Sequence, residues 1–178
     1  MDIIQLKDLQ FKPFISESEL QQLIKKTAEE INSDYTEKKP LFLGVLNGSF
    51  MFMGDLMKHV NIECEVSFVK LASYEGMNST GNVNQLIGLS ENIEGKEVIV
   101  VEDIVDTGNT LEKLLQILHD KKPKSIKIAT LLFKPEPYKK SYKIDYVAKE
   151  IPNKFVVGYG LDYDGLGRNL SSIYVLNQ

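Results

Sequence analysis

From Ser16 the chain sets out a helical pattern. Leu20, Leu23, Ile24, Ala28 and Ile31 recur at steps of three and four residues, the apolar stripe of an amphipathic helix. Ser16-Glu17-Ser18-Glu19 opens it as a capping box, with Glu19 placed to reach back to the cap, and Asn32-Ser33-Asp34 closes it. Pro40 then precedes the apolar run Leu41 to Leu46, whose length and neighbours suit a buried strand. Asn47-Gly48-Ser49 is a turn, and Phe50 to His59 reads as a helix carrying Met51, Met53 and Met57. Glu63 to Leu71 favours a strand that contains Cys64. Ser73 to Asn84 is polar and holds Gly76 and Gly81, so it reads as a long mobile loop, after which Val83 to Leu89 is a candidate returning strand.

The centre of the chain is clearer. Val98-Ile99-Val100-Val101 is a continuous β-branched run, the pattern of a strand buried on both faces. A helix starts near Asn109 and carries Leu111, Leu114, Leu115 and Leu118. Ser125 to Phe133 is a further strand, and Phe155 to Val157 and Ile173 to Val175 are shorter ones. Strand and helix in alternation predict an α/β fold with a mainly parallel sheet, in which ligands bind at the carboxyl ends of the strands.

Composition narrows the function classes. The 178 residues, 43% apolar and 26% charged, suit a single domain spanning 1–178 with a real core. Twenty-one basic against 25 acidic residues leave a net charge of −4, which speaks against a nucleic-acid partner. Cys64 is the one cysteine, so no internal disulfide framework is possible. Met1 to Gln10 lacks an apolar run of signal-peptide length, and no stretch reaches membrane-spanning length. The expected setting is the cytoplasm, without a membrane partner. His59 and His119 sit in separate predicted helices and offer no metal-ligand spacing.

The chemistry is concentrated in Val100-Val101-Glu102-Asp103-Ile104-Val105-Asp106-Thr107-Gly108-Asn109-Thr110-Leu111. A buried strand runs into two adjacent carboxylates, then a third, a small polar loop and a helix. Such a loop offers backbone N–H groups and two hydroxyls at a helix N-terminus, which suits a phosphate. The spacing is neither that of a nucleoside triphosphate loop nor a dinucleotide fingerprint. The acids would repel a phosphate, so they need other work. A ribose diol or a magnesium ion, both served by carboxylate oxygens, fits them.

This string resembles the phosphoribosyl-diphosphate motif of the purine phosphoribosyltransferases, in their compact bacterial hypoxanthine–guanine type, and four further segments match in the expected order. The resemblance implies a type I phosphoribosyltransferase fold: a parallel twisted sheet flanked by helices, a small hood formed by the terminal segments, and a lid loop at about residues 73–84. It implies a pentosyltransferase of purine salvage that joins hypoxanthine or guanine to 5-phosphoribosyl 1-diphosphate, giving IMP or GMP and pyrophosphate, with Mg²⁺ as cofactor and a homodimer or homotetramer as the assembly.

The resemblance also assigns residues. Glu102 and Asp103 orient the ribose and metal, and Asp106 is the general base at purine N7. Thr107, Gly108, Asn109 and Thr110 cradle the 5-phosphate. Asn47 and Gly48, in Leu46-Asn47-Gly48-Ser49, bind pyrophosphate through backbone amides, often after a cis peptide, and Arg168 clamps the same group. Ser73 and Tyr74 belong to the lid. Lys134, after Ala129 to Phe133, reads the 6-oxo group. In Lys154-Phe155-Val156-Val157-Gly158-Tyr159-Gly160-Leu161-Asp162-Tyr163, Phe155 stacks on the purine, Val156 bonds its edge through the backbone, and Asp162 lies at the purine and helps hold Mg²⁺ through its water shell.

Overall fold

Six strands form the main sheet of the computed structural model, which describes the backbone of residues 2–74, 83–89 and 91–177. In chain order they are β3 (Leu41–Val45), β4 (Glu65–Tyr74), β5 (Val83–Ile87), β6 (Glu97–Val105), β7 (Ser125–Phe133) and β8 (Tyr146–Glu150). Across the sheet the order is β5-β4-β3-β6-β7-β8. The β4–β5 pair is antiparallel, and the pairs from β4 through β3, β6 and β7 to β8 are parallel.

Strand alternation decides what each face covers. Phe42, Ile99 and Val101 join a core with Leu20, Ile24, Ala28 and Ile31 of α1 (Glu17–Asp34) and Phe52, Met53 and Leu56 of α2 (Phe50–Met57). Leu41, Leu43, Val98 and Val100 point the other way, onto Leu111, Leu114, Leu115 and Leu118 of α3 (Asn109–His119). The centre of the sheet is therefore covered on both sides, as its β-branched strand β6 requires, while Val66 and Phe68 of β4 stay exposed. Each fully buried leucine of α3 contributes about 1.5–3 kcal/mol relative to exposure, enough to dock a short helix.

A second sheet joins both ends of the chain. It has the order β1-β2-β10-β9, from β1 (Ile4–Leu6), β2 (Leu9–Ile15), β9 (Val156–Val157) and β10 (Ile173–Leu176), all antiparallel. Phe11, Val157 and Tyr174 form its own core.

Several sequence expectations shift at their ends. Ser16 Oγ does accept from Glu19 N–H at 3.2 Å, but the Glu19 carboxylate does not return to the cap; it takes Lys149 Nζ at 2.7 Å. A charged partner across the α1–β8 contact outcompetes a neutral backbone donor. Helix α2 stops at Met57 rather than His59, and Cys64 lies just before β4, partly buried. Ser73 and Tyr74 stand on β4, in register with Asn84 and Val83, while the rest of the expected loop, 75–82, lies outside the described residues. Phe155 precedes β9 instead of belonging to it.

Candidate functional site

The strand order reverses between β3 and β6. From β3 the chain proceeds outward to β4, and from β6 it proceeds the other way to β7, so the carboxyl ends of β3 and β6 flank the topological switch point. Pairing of β3 with β6 ends at Gly44 and Val101, whereas β6 and β7 stay paired to Val105 and Phe133. Beyond Val101 the two strands diverge and leave a cleft of about 360 Å³. Residues 45–48, 102–111, Asp162 and Arg168 line it.

One wall is the loop from Asp106 to Thr110. Gly108 caps α3 with φ +79, and a β-carbon there would fall 2.6 Å from the Tyr138 ring. Only glycine meets both conditions. Gly108 provides no side chain to cap the helix, its carbonyl accepts Glu112 N–H at 2.9 Å, and Thr107, Asn109 and Thr110 are exposed. Amides and hydroxyls at a helix N-terminus thus face an open cleft, an arrangement that attracts an anion.

Behind this loop lie the paired acids. Glu102 is 6% exposed, and burial, followed by the neighbouring Asp103, holds its carboxyl well above the ordinary range. Asp103 is pushed up to about 6, chiefly by burial and also by Asp162, against the lowering effect of the Ile104 N–H and Arg168. Asp103 Oδ1 accepts that N–H at 2.8 Å. Among the described residues neither acid forms an ion pair, and no three acid, histidine or cysteine side chains converge as a metal nest. Two uncompensated carboxylates fit a hard divalent cation that draws its remaining oxygens from water and ligand.

The opposite wall is assembled from distant segments. The Leu46–Asn47 peptide is cis. Gly48 packs so closely on Asp103 that a β-carbon would fall 1.5 Å from Oδ2. On the other side of Gly48, Gly160 at φ +99 touches its carbonyl, since a β-carbon on Gly160 would come within 2.0 Å of that oxygen. Arg168 Nη1 donates to the Gly160 carbonyl at 2.7 Å, and Nη2 meets Asp162 Oδ1 at 2.6 Å. The second Asp162 oxygen accepts Gly165 N–H at 2.7 Å.

The comparisons with known proteins agree with this geometry. The model of the phosphoribosyl transferase domain matches residues 16–164. A hypoxanthine-guanine phosphoribosyltransferase of Streptococcus pyogenes serotype M3 is 44% identical over 173 residues, which is 97% of this chain and 96% of the relative. One of Bacillus subtilis is 43% identical over 166 residues, 93% and 92% of the two chains. A crystal structure of a hypoxanthine phosphoribosyltransferase from Staphylococcus aureus superposes with a TM-score of 0.85 at 40% identity, covering 93% of this chain and 91% of that one. The chain belongs to the phosphoribosyltransferase family. Its fold is the type I phosphoribosyltransferase fold, with the parallel twisted sheet between helical layers.

In this phosphoribosyltransferase the residues expected at the purine are divided. Lys134 follows β7 and donates its backbone N–H to the Val105 carbonyl at 2.9 Å. It is 6% exposed, and its Nζ pairs with Asp106 Oδ2 at 2.7 Å. A buried ammonium needs such a partner. Lys134 does not itself line the cleft and reaches its edge through Asp106; Phe155 and Val156 lie apart from it, in the region of the second sheet. Phe155 is 44% exposed, with Phe11 and Tyr163 at 6.0 and 5.9 Å between ring centroids.

Sequence reasoning missed Tyr138 and Lys140, which back Gly108 across the loop after β7, and Gly160, whose contact with Gly48 no spacing announces. Lys140 Nζ is tied to Glu112 at 2.7 Å. Among the described residues no helix is long and apolar enough to cross a membrane.

Proposed function

We propose that this phosphoribosyltransferase moves the phosphoribosyl group of 5-phosphoribosyl 1-diphosphate onto N9 of a 6-oxopurine. Hypoxanthine or guanine would give IMP or GMP, with pyrophosphate released. The observation that carries this reading is the Asp106–Lys134 pair, 2.7 Å apart, placed where the anion loop begins. It joins a proton acceptor to an ammonium donor on the edge of a phosphate cradle. A purine with its N7 proton toward Asp106 and its 6-oxo oxygen toward Lys134 satisfies both groups. Adenine presents an amino donor in place of that oxygen and leaves the ammonium opposed by another donor.

Each remaining role follows from charge. Thr107, Gly108, Asn109 and Thr110 would hold the 5-phosphate, which fixes the ribose carbon beneath the base. Glu102 and Asp103 would accept from the ribose hydroxyls. As the C1–O bond breaks, negative charge gathers on pyrophosphate, and Arg168 with the amides of Asn47 and Gly48 would stabilise it. Mg²⁺ held at Glu102 and Asp103, with Asp162 acting through its water shell, would supply further neutralisation of that charge. Removal of the N7 proton by Asp106 makes N9 more nucleophilic. Phe155 would stack on the purine and the Val156 backbone would bond its edge. Ser73 and Tyr74 would close over the site and exclude water. The reading includes a cytoplasmic homodimer or homotetramer.

The test is a comparison of four bases. Enzyme, Mg²⁺ and phosphoribosyl diphosphate are mixed with hypoxanthine, guanine, xanthine or adenine, and nucleoside monophosphate and pyrophosphate are measured. Turnover with hypoxanthine or guanine and none with adenine is expected. Adenine turnover equal to that of hypoxanthine would remove the 6-oxo reading and the Lys134 role with it.

A further inference from the structure

Three side chains that no step above uses meet behind the assembled wall. Asp55 comes from α2, Gln21 from α1 and Tyr159 from the segment after β9. The Tyr159 hydroxyl donates to Asp55 Oδ2. Gln21 Nε2 donates to the same oxygen at 2.6 Å and lies 3.3 Å from the phenol oxygen. Lys58 Nζ takes the other oxygen, Oδ1, at 2.7 Å. Tyr159 is 1% exposed and the Asp55 side chain 18%. A largely buried carboxylate with three donors forms hydrogen bonds stronger than neutral pairs do.

The backbone explains why this network matters to the cleft. Tyr159 holds φ +50 between Gly158 at +98 and Gly160 at +99. A left-handed conformation is unfavourable for a bulky residue, so the buried ring and its phenol must hold it. The next residue, Gly160, is the one that rests on the Gly48 carbonyl and receives the Arg168 guanidinium. Its N–H also donates to the Arg168 carbonyl at 2.9 Å. Helix α2, which carries Asp55, begins at Phe50, immediately beyond the Asn47–Ser49 turn. One end of the network therefore leads to the turn, and the other to the Arg168 clamp.

We infer that Asp55, Tyr159 and Gln21 are a positioning element that sets the distance between the Asn47–Gly48 turn and Arg168. They govern affinity for the pyrophosphate group without touching it. This rests on the reading of that wall as the pyrophosphate side.

Calorimetry with Mg²⁺-pyrophosphate and, separately, with IMP separates the possibilities, because IMP occupies the phosphate loop and lacks pyrophosphate. Tyr159→Phe should weaken pyrophosphate about tenfold, the loss of one hydrogen bond to a charged group. It should raise KM for phosphoribosyl diphosphate while leaving KM for hypoxanthine and IMP affinity nearly unchanged. Asp55→Asn keeps an oxygen acceptor and should fall between wild type and Asp55→Ala. Should Tyr159→Phe fail to fold, Gln21→Leu should shift the same ratio in the same direction by about threefold. Equal weakening of pyrophosphate and IMP, or unchanged pyrophosphate binding, overturns the inference while the functional reading stands. Wild-type protein that binds IMP but not pyrophosphate overturns that reading of the wall and this inference together.

Discussion

The two walls of the cleft are built in opposite ways. The wall from Asp106 to Thr110 is one unbroken stretch between a strand buried on both faces and helix α3, and its shape is set by the left-handed Gly108. The other wall gathers Asn47, Gly48, Gly160, Asp162 and Arg168 from separate loops, held by a glycine-on-carbonyl contact and by Arg168 bonds of 2.6 and 2.7 Å. Their charges differ as well. Glu102 and Asp103, behind the first wall, have no fixed cation among the described residues, whereas Arg168 is already paired with Asp162. Outside Gly108, a local wall should keep its shape when a side chain changes. An assembled wall should be sensitive to a single methyl group placed between its parts.

The largest effect belongs to the local wall and concerns chemistry alone. Asp106→Asn keeps an oxygen for Lys134 and leaves Gly108 untouched, so fold and IMP affinity should survive. Loss of the proton acceptor should lower single-turnover rates by about 10²–10⁴-fold. Near-normal single-turnover rates would end the assignment of Asp106 as base.

Gly160→Ala probes the assembled wall. Its β-carbon would fall 2.0 Å from the Gly48 carbonyl at a φ of +99, and backbone cannot swing aside as a side chain can. We expect kcat/KM for phosphoribosyl diphosphate to drop about a hundredfold, as displacement of about 1 Å at a reacting site does. IMP affinity should hold. An equal loss of IMP affinity would show that the walls are not independent.

This asymmetry also governs what the sequence reveals. The local wall can be read directly, because strand, acids, loop and helix are consecutive and every constraint lies within a few residues. Helix α1, the β3 run and the β6 and β7 strands are legible for the same reason: their periodicity is strong. Of the second sheet only β9 and β10 are legible, as the runs Phe155 to Val157 and Ile173 to Val175, while β1 and β2 are not. In Leu9–Ile15 the alternation of Leu9, Gln10, Phe11 and Lys12 is broken at Pro13, a residue that speaks against a strand. Pro13 is tolerated because β1 pairs only as far as Phe11, leaving β2 with β10 alone beside Pro13. Strand β8 reads Tyr-Val-Ala-Lys-Glu, a pattern equally open to a helix. The assembled wall is legible only through resemblance, since nothing in Gly158-Tyr159-Gly160 or in Asp55 states that a phenol and a carboxylate from different elements will meet.

The smallest effect tests whether the assembled wall depends on a charge. Burial raises the Asp55 carboxyl, but the hydrogen bonds from Lys58, Tyr159 and Gln21 outweigh it and hold the group below its ordinary value of 3.8. A carboxyl that ionises more readily folded than unfolded stabilises the fold above the unfolded value, and that contribution is lost as pH falls through the folded one. At pH 7 Asp55→Asn should therefore be less stable than wild type in urea, by on the order of 1 kcal/mol. The gap should narrow once pH drops below 3.8, because a protonated Asp55 and an asparagine offer Tyr159 and Gln21 nearly the same neutral acceptor. A gap that stays constant from pH 7 to pH 3 would mean that shape, and not charge, holds Tyr159 in place. The wall would then be fixed by packing alone, and the contrast with the local wall would reduce to chain separation.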